Sequence, residues 1–200
     1  MKLILIFLLF SQTTGLRVIH LQGPDALTAH QLQEALAIAS TKLALANKPI
    51  KVMKIIRHAD PCIASNTLSR FPSQFSCFEA IAKRRKRFKH GPTLVVSGPI
   101  SHTDGQRYLG GAANLDCVRH VSRRVSWFAA TGSSIGGESR IYMSGIGIAH
   151  ELGHNFGASH LEGTNIMSTD ALGLARTNTP LFFTPVSETS FLQCRNRGFF

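Results

Sequence analysis

The stretch that most constrains this chain is His150-Glu151-Leu152-Gly153-His154-Asn155-Phe156-Gly157-Ala158-Ser159-His160. His150 and His154 are four residues apart, so a helix would set both imidazoles on one face, one turn apart. Glu151 follows the first histidine and stays beside the pair without joining it. Gly157 comes three residues after His154, where glycine can take a positive φ, end the helix and turn the chain. His160 can then swing back as a third ligand. Three histidine nitrogens with a fourth position left open are the donor set of a catalytic rather than a structural zinc site. The spacing therefore predicts one catalytic Zn2+ held by His150, His154 and His160, with Glu151 as general base and acid. Requiring the glycine and the third histidine cuts chance matches by roughly a few hundredfold. The competing reading is an amphipathic helix carrying solvated histidines.

These residues resemble the metzincin superfamily of zinc endopeptidases, whose signature is HExxHxxGxxH followed by a Met-turn. Met167, in Asn165-Ile166-Met167-Ser168, is the Met-turn candidate. The wording from His150 to His160 is similar to the adamalysin/reprolysin (ADAM-type) branch. The resemblance implies an α/β fold (α+β by some schemes). It is a zincin domain with a mostly parallel twisted sheet, an antiparallel edge strand, an active-site helix and an irregular C-terminal subdomain with the Met-turn. The implied activity is that of a zinc metalloendopeptidase cutting proteins or peptides. The resemblance also implies that substrate pairs with an edge strand and Gly-Gly turn over Gln106 to Ala112, which makes Tyr108, Leu109, Gly110 and Gly111 substrate-edge candidates. An ordinary glycine-rich hairpin is the equal alternative there. A catalytically silent zinc-binding relative and a secreted basic polyanion-binding module are the alternative functions.

With 200 residues, 44% hydrophobic and 16% charged, the chain suits one globular domain. Residues 1–15 read as a signal peptide: Lys2, a short apolar run from Leu3 to Phe10, and small Thr13 and Gly15 before a cut ahead of Leu16. The run is too short to span a bilayer. The expectation is a secreted, extracellular, monomeric protein with a single catalytic domain over 16–200. Four cysteines in such a setting favour two disulfides, with three connectivities open. Cys62–Cys77 would close a short local loop, and Cys117–Cys194 resembles a bridge of adamalysin-like domains. The net charge of +11 favours acidic partners, such as a heparan-type glycosaminoglycan, with no specific nucleic acid expected. Much of that charge lies in Lys83-Arg84-Arg85-Lys86-Arg87-Phe88-Lys89-His90. A solvated helix end accounts for the run as well as a binding patch does.

Along the chain, Leu16 to Leu21 reads as a strand. A helix from an Asp25 cap to about Ala46 follows, with Leu32, Leu36, Ala39 and Leu43 on one face. Ile50 to Arg57 reads as a fairly buried second strand, Phe75 to Lys89 as a helix, and Thr93 to Ser97 as a buried central strand. Ser126 to Ala130 reads as the last strand. The helix carrying the histidines is expected to begin near Ser144 and to be anchored by Ile146, Ile148 and Leu152. The chain after Met167 reads as irregular until a short helix, Ser187 to Leu192, capped by Ser187. Strands alternating with helices imply a largely parallel sheet.

Overall fold

The computed structural model describes residues 13–23, 25–59, 77, 80–81, 91–99, 111–113, 125–130 and 137–196, with backbone alone at 112 and 192–196. Five strands form one mixed sheet: β1 (Thr14–Gln22), β2 (Ile50–Ala59), β3 (Thr93–Ser97), β4 (Gly111–Ala113) and β5 (Val125–Ala129). Their order is β2-β1-β3-β5-β4. The first four in this order pair in parallel, and β4 runs antiparallel to β5 at the far edge. Four described helices accompany them: α1 (Ala29–Leu45), α2 (Gly137–Asn155), α3 (Ala171–Arg176) and α4 (Pro185–Asn196). The expected α/β fold with a parallel sheet and an antiparallel edge is the one observed.

The near-continuous apolar runs of β1, β3 and β5 reflect burial on both faces of the sheet. Leu16, Val18, Leu94, Val96 and Phe128 belong to one core with α1 and α2. Ile19, Leu21, Val95, Trp127 and Ala129 belong to a second core on the opposite face, which includes Ile81. Trp127 is fully enclosed there, and its indole N–H donates to Ser97 Oγ at 3.0 Å. On α1 the expected stripe of Leu32, Leu36, Ala39 and Leu43 is buried. Each such leucine contributes roughly 1.5–3 kcal/mol.

Several boundaries differ from the sequence reading. β1 begins at Thr14, ahead of Leu16, and its first residues pair with Ile50 and Lys51. The cap of α1 is Thr28, not Asp25. Thr28 Oγ1 accepts from Gln31 N–H at 3.2 Å, and Gln31 Oε1 accepts from Thr28 N–H at 2.9 Å. Asp25 instead takes a positive φ of 56°, and its carbonyl accepts from Arg140 of α2. β2 is an edge strand rather than a buried one. A register shift opposite Leu16 and Arg17 leaves Met53 out of the ladder, and Met53 is exposed. Cys77, Ala80 and Ile81 are helical, and Cys77 is disulfide-bonded. Cys62, Cys117, the Cys194 side chain and the basic run 83–90 lie outside the described residues, so neither expected pairing is located.

α2 is the largest departure. It spans 19 residues and starts at Gly137, two turns before the expected Ser144. Two of its glycines serve close packing. A side chain at Gly145 would collide with Ile38 of α1, and one at Gly147 with Phe128 of β5. Ile146, Ile148 and Leu152 are fully buried and anchor the helix as expected. After Met167 the chain is not irregular throughout, because α3 forms a short helix. α4 begins at Pro185, suited to a first helical position, so Thr184 rather than Ser187 precedes it. Thr184 Oγ1 accepts from Ser187 N–H at 3.4 Å. Phe191 of α4 packs edge-on against Phe156 and Phe183, with ring centroids 6.0 and 5.3 Å away, which ties the C-terminal segment to the end of α2.

Candidate metal centre

The last two turns of α2 carry His150, Glu151 and His154, and the chain leaves the helix through a tight reversal. Gly157 has φ of 99°. Its N–H donates to the His154 carbonyl at 2.9 Å, and Ala158 N–H donates to the Gly153 carbonyl at 3.0 Å. This is the paired bonding of a Schellman turn, in which the left-handed residue is favoured as glycine. The reversal brings His160 back over the helix end.

The three Nε2 atoms form a nearly equilateral triangle. The edges are 3.1 Å (His150–His154), 3.2 Å (His154–His160) and 3.3 Å (His150–His160). His150 Nδ1–H faces the Ile166 carbonyl at 2.6 Å, and His154 Nδ1–H faces the Ala158 carbonyl at 2.7 Å. A carbonyl can only accept, so these contacts place the proton on Nδ1 and leave Nε2 with its lone pair directed inward. Lone pairs brought this close repel one another unless a cation lies among them. Tetrahedral zinc at 2.0–2.1 Å from nitrogen requires ligand separations of about 3.3–3.4 Å. The observed triangle fits that requirement. Among the described residues, this trio is the group able to hold a metal ion.

The electrostatics agree. Burial pushes His150 down to about 4, against the raising effect of the Ile166 carbonyl, and lowers His154 as well. Both imidazoles are therefore neutral and able to coordinate at physiological pH. Glu151 is 6% exposed, and burial pushes its carboxyl up to about 8. Its Oε2 is enclosed and has no hydrogen-bond partner. Burial thus holds Glu151 as the neutral acid at physiological pH in the absence of metal, and a cation bound nearby would favour its charged form.

The structure thus brings together His150, His154, His160, Glu151, Gly157 and Met167. Met167 is fully buried, and its sulfur lies where a side chain on Gly153 would sit, directly against the helix turn bearing the histidines. Leu161 N–H donates to the Met167 carbonyl, and Ile166 N–H to the Phe182 carbonyl, fixing the turn at both ends. Of the substrate-edge candidates, Tyr108, Leu109 and Gly110 lie outside the described residues. Gly111 is in strand β4 rather than in a turn. Sequence reasoning missed the Ile166 and Ala158 carbonyls, since main-chain acceptors leave no residue signature. It also missed the contact of Gly111 with Glu151.

The family profile described as Metallo-peptidase family M12B Reprolysin-like matches residues 87–161, the span ending just beyond His160. No curated protein sequence matches the chain. Among solved structures, archaemetzincin from Methanopyrus kandleri superposes with a TM-score of 0.65 at 16% identity, covering 92% of this chain and 96% of its own. Metalloproteinase-II from Bacteroides fragilis gives 0.61 at 16% identity, covering 91% and 52%. A zinc-dependent peptidase from Methanocorpusculum labreanum gives 0.58 at 14% identity, covering 92% and 99%. The chain therefore has a zincin-like metallopeptidase fold and carries a zinc-metallopeptidase-like domain with a histidine triad.

Proposed function

We propose that this protein is a zinc-dependent endopeptidase of the metzincin type, nearest in its motif to the reprolysin branch, and that it hydrolyses peptide bonds in proteins or peptides. The observation that carries the reading is the triangle of three Nε2 lone pairs with the buried Glu151 carboxylate on the same helix turn. His150, His154 and His160 would hold a zinc ion there, which would supply Lewis acidity to polarise a carbonyl and bring the pKa of a bound water to about 7. Glu151 accepts the proton of the attacking water and then delivers it to the departing amine. The carbonyls of Ile166 and Ala158 hold the His150 and His154 rings in the tautomer that leaves Nε2 free. β4 is the terminal strand of the sheet among the described residues, and its Gly111 lies against Glu151. A peptide extended along that edge would pass beside the carboxylate, which supports recognition by strand addition.

Export is part of the proposal, supported by the apolar N-terminus and by the cysteine count. No helix among the described residues is long and apolar enough to cross a membrane. The charge of +11 supports a polyanion such as a heparan-type glycosaminoglycan as a second partner, localising the enzyme. The test is digestion of a proteome-derived peptide library and a quenched fluorescent peptide by zinc-loaded protein, with and without 1,10-phenanthroline. Chelator-sensitive cleavage is expected. A zinc-loaded protein that cuts no member of the library while retained on heparin would assign the chain to the binding class instead.

A further inference from the structure

The catalytic carboxylate and the sheet edge meet at one point. A Cβ added to Gly111 would lie 2.6 Å from Glu151 Oε1, 2.8 Å from Glu151 Cδ and 2.5 Å from the Trp127 carbonyl oxygen. Real Cβ atoms do not approach other atoms that closely, so any side chain at position 111 must displace something. The Trp127 carbonyl belongs to β5, whose Phe128 pairs with Gly111 in the antiparallel ladder. Phe128 in turn fills the space above Gly147, one turn before Glu151 on α2. The space a Cβ would take at Gly111 is therefore bounded by β5 backbone and by the Glu151 carboxylate of α2. Of the carboxylate oxygens, Oε1 is the one at Gly111, and the buried Oε2 has no hydrogen-bond partner to aim it. A general base usually owes its aim to a hydrogen-bonded partner, and here steric confinement takes that part.

We infer that Gly111 is a positioning residue for Glu151: the bare Cα of the edge strand seats the carboxylate beside the histidine triad, and any larger residue there moves the base while leaving the metal ligands in place. The inference rests on the reading of Glu151 as the general base. It adds that the edge strand aims the base, beyond any part it has in holding a peptide. The position favours glycine because even a Cβ there would lie under 3.0 Å from Trp127 and Glu151.

The test is a set of variants in the zinc-loaded full chain. Gly111→Ala is expected to keep its zinc affinity within about threefold, because the three atoms nearest the added Cβ belong to Trp127 and Glu151 rather than to the triad, while kcat falls roughly 100-fold for a displacement on the order of 1 Å. KM should change much less than kcat. Pairing Gly111→Ala with Glu151→Ala, and separately with Glu151→Gln, gives a readout independent of activity. The loss of melting temperature caused by Gly111→Ala should shrink in the Glu151→Ala background, where the collision partner is gone. It should persist in the Glu151→Gln background, where the shape is kept. If Gly111→Ala alone does not fold, recovery of folding in the Glu151→Ala double variant supports the inference equally. An identical melting penalty in all three backgrounds would place the whole collision on Trp127 and overturn it. A wild-type protein that cleaves nothing would refute the peptidase reading, yet the melting comparison would still decide the contact.

Discussion

Gly157 is where the backbone decides whether two histidines become three, so Gly157→Val is the most informative single substitution. Its φ of 99° lies where a β-branched residue is strongly strained. Holding valine there costs about 1–3 kcal/mol. Relaxing it instead breaks the bonds from Gly157 N–H to His154 and from Ala158 N–H to Gly153. The second of these positions the Ala158 carbonyl, which orients His154. Relaxation therefore both withdraws His160 and releases His154. Loss of an orienting partner alone lowers metal affinity about 10–100-fold. Strain of up to about 3 kcal/mol that is felt only in the bound form corresponds to roughly 150-fold, at 1.4 kcal/mol for each factor of ten. Zinc affinity measured by competition with a chromophoric chelator should thus weaken by about two orders of magnitude. Far-UV circular dichroism should show α2 intact, since Gly157 lies beyond its end. Unchanged zinc affinity would refute the argument that this turn delivers the third ligand.

Other outcomes are equally concrete. Glu151→Gln should bind zinc as wild type does and lose about 10²–10⁴-fold in peptide cleavage, checked by metal analysis and a quenched-peptide assay. In metal-free protein, the folded His150 lies below its unfolded value of 6.5, at about 4. The corresponding stability is complete above pH 6.5 and is lost as pH falls through 4, on the order of 3 kcal/mol from this residue. Glu151 has the opposite sign. Its folded value is raised from 4.5 to about 8, so its contribution is complete below pH 4.5 and disappears as pH rises through 8. Chemical denaturation of the metal-free chain across pH 4–9 should show both limbs, and the alkaline limb should vanish in Glu151→Gln. Thr28→Ala should cost about 1 kcal/mol by losing the α1 cap, read from the denaturation midpoint, with zinc binding untouched.

The metal centre was legible in the sequence because its geometry is local. The four-residue spacing, the glycine and the third histidine are all read along one short stretch. β3 was legible for a similar reason, as an apolar run bounded by Gly-Pro pairs. The full length of α2 was not. Gly137 and Ser139 in its first turn have poor intrinsic helix propensity, so the start of the helix leaves little local signal. The cap of α1 was present as Thr28 followed three residues later by Gln31. Asp25 is also a residue type suited to a cap, yet it serves instead through its carbonyl. β2 reads as buried in sequence because its apolar residues are those of an edge interrupted at Met53, and hydropathy alone does not tell an edge from a centre. The contact of Gly111 with Glu151 spans 40 positions of sequence and depends on β4 packing against α2, so no local pattern could announce it.

The most direct test of the central claim is X-ray absorption at the zinc edge of purified, zinc-loaded protein. The account predicts one zinc per chain with three imidazole nitrogens at about 2.0–2.1 Å, falling to two in His160→Ala. Sulfur in the coordination shell, or a spectrum unchanged by His160→Ala, would contradict it.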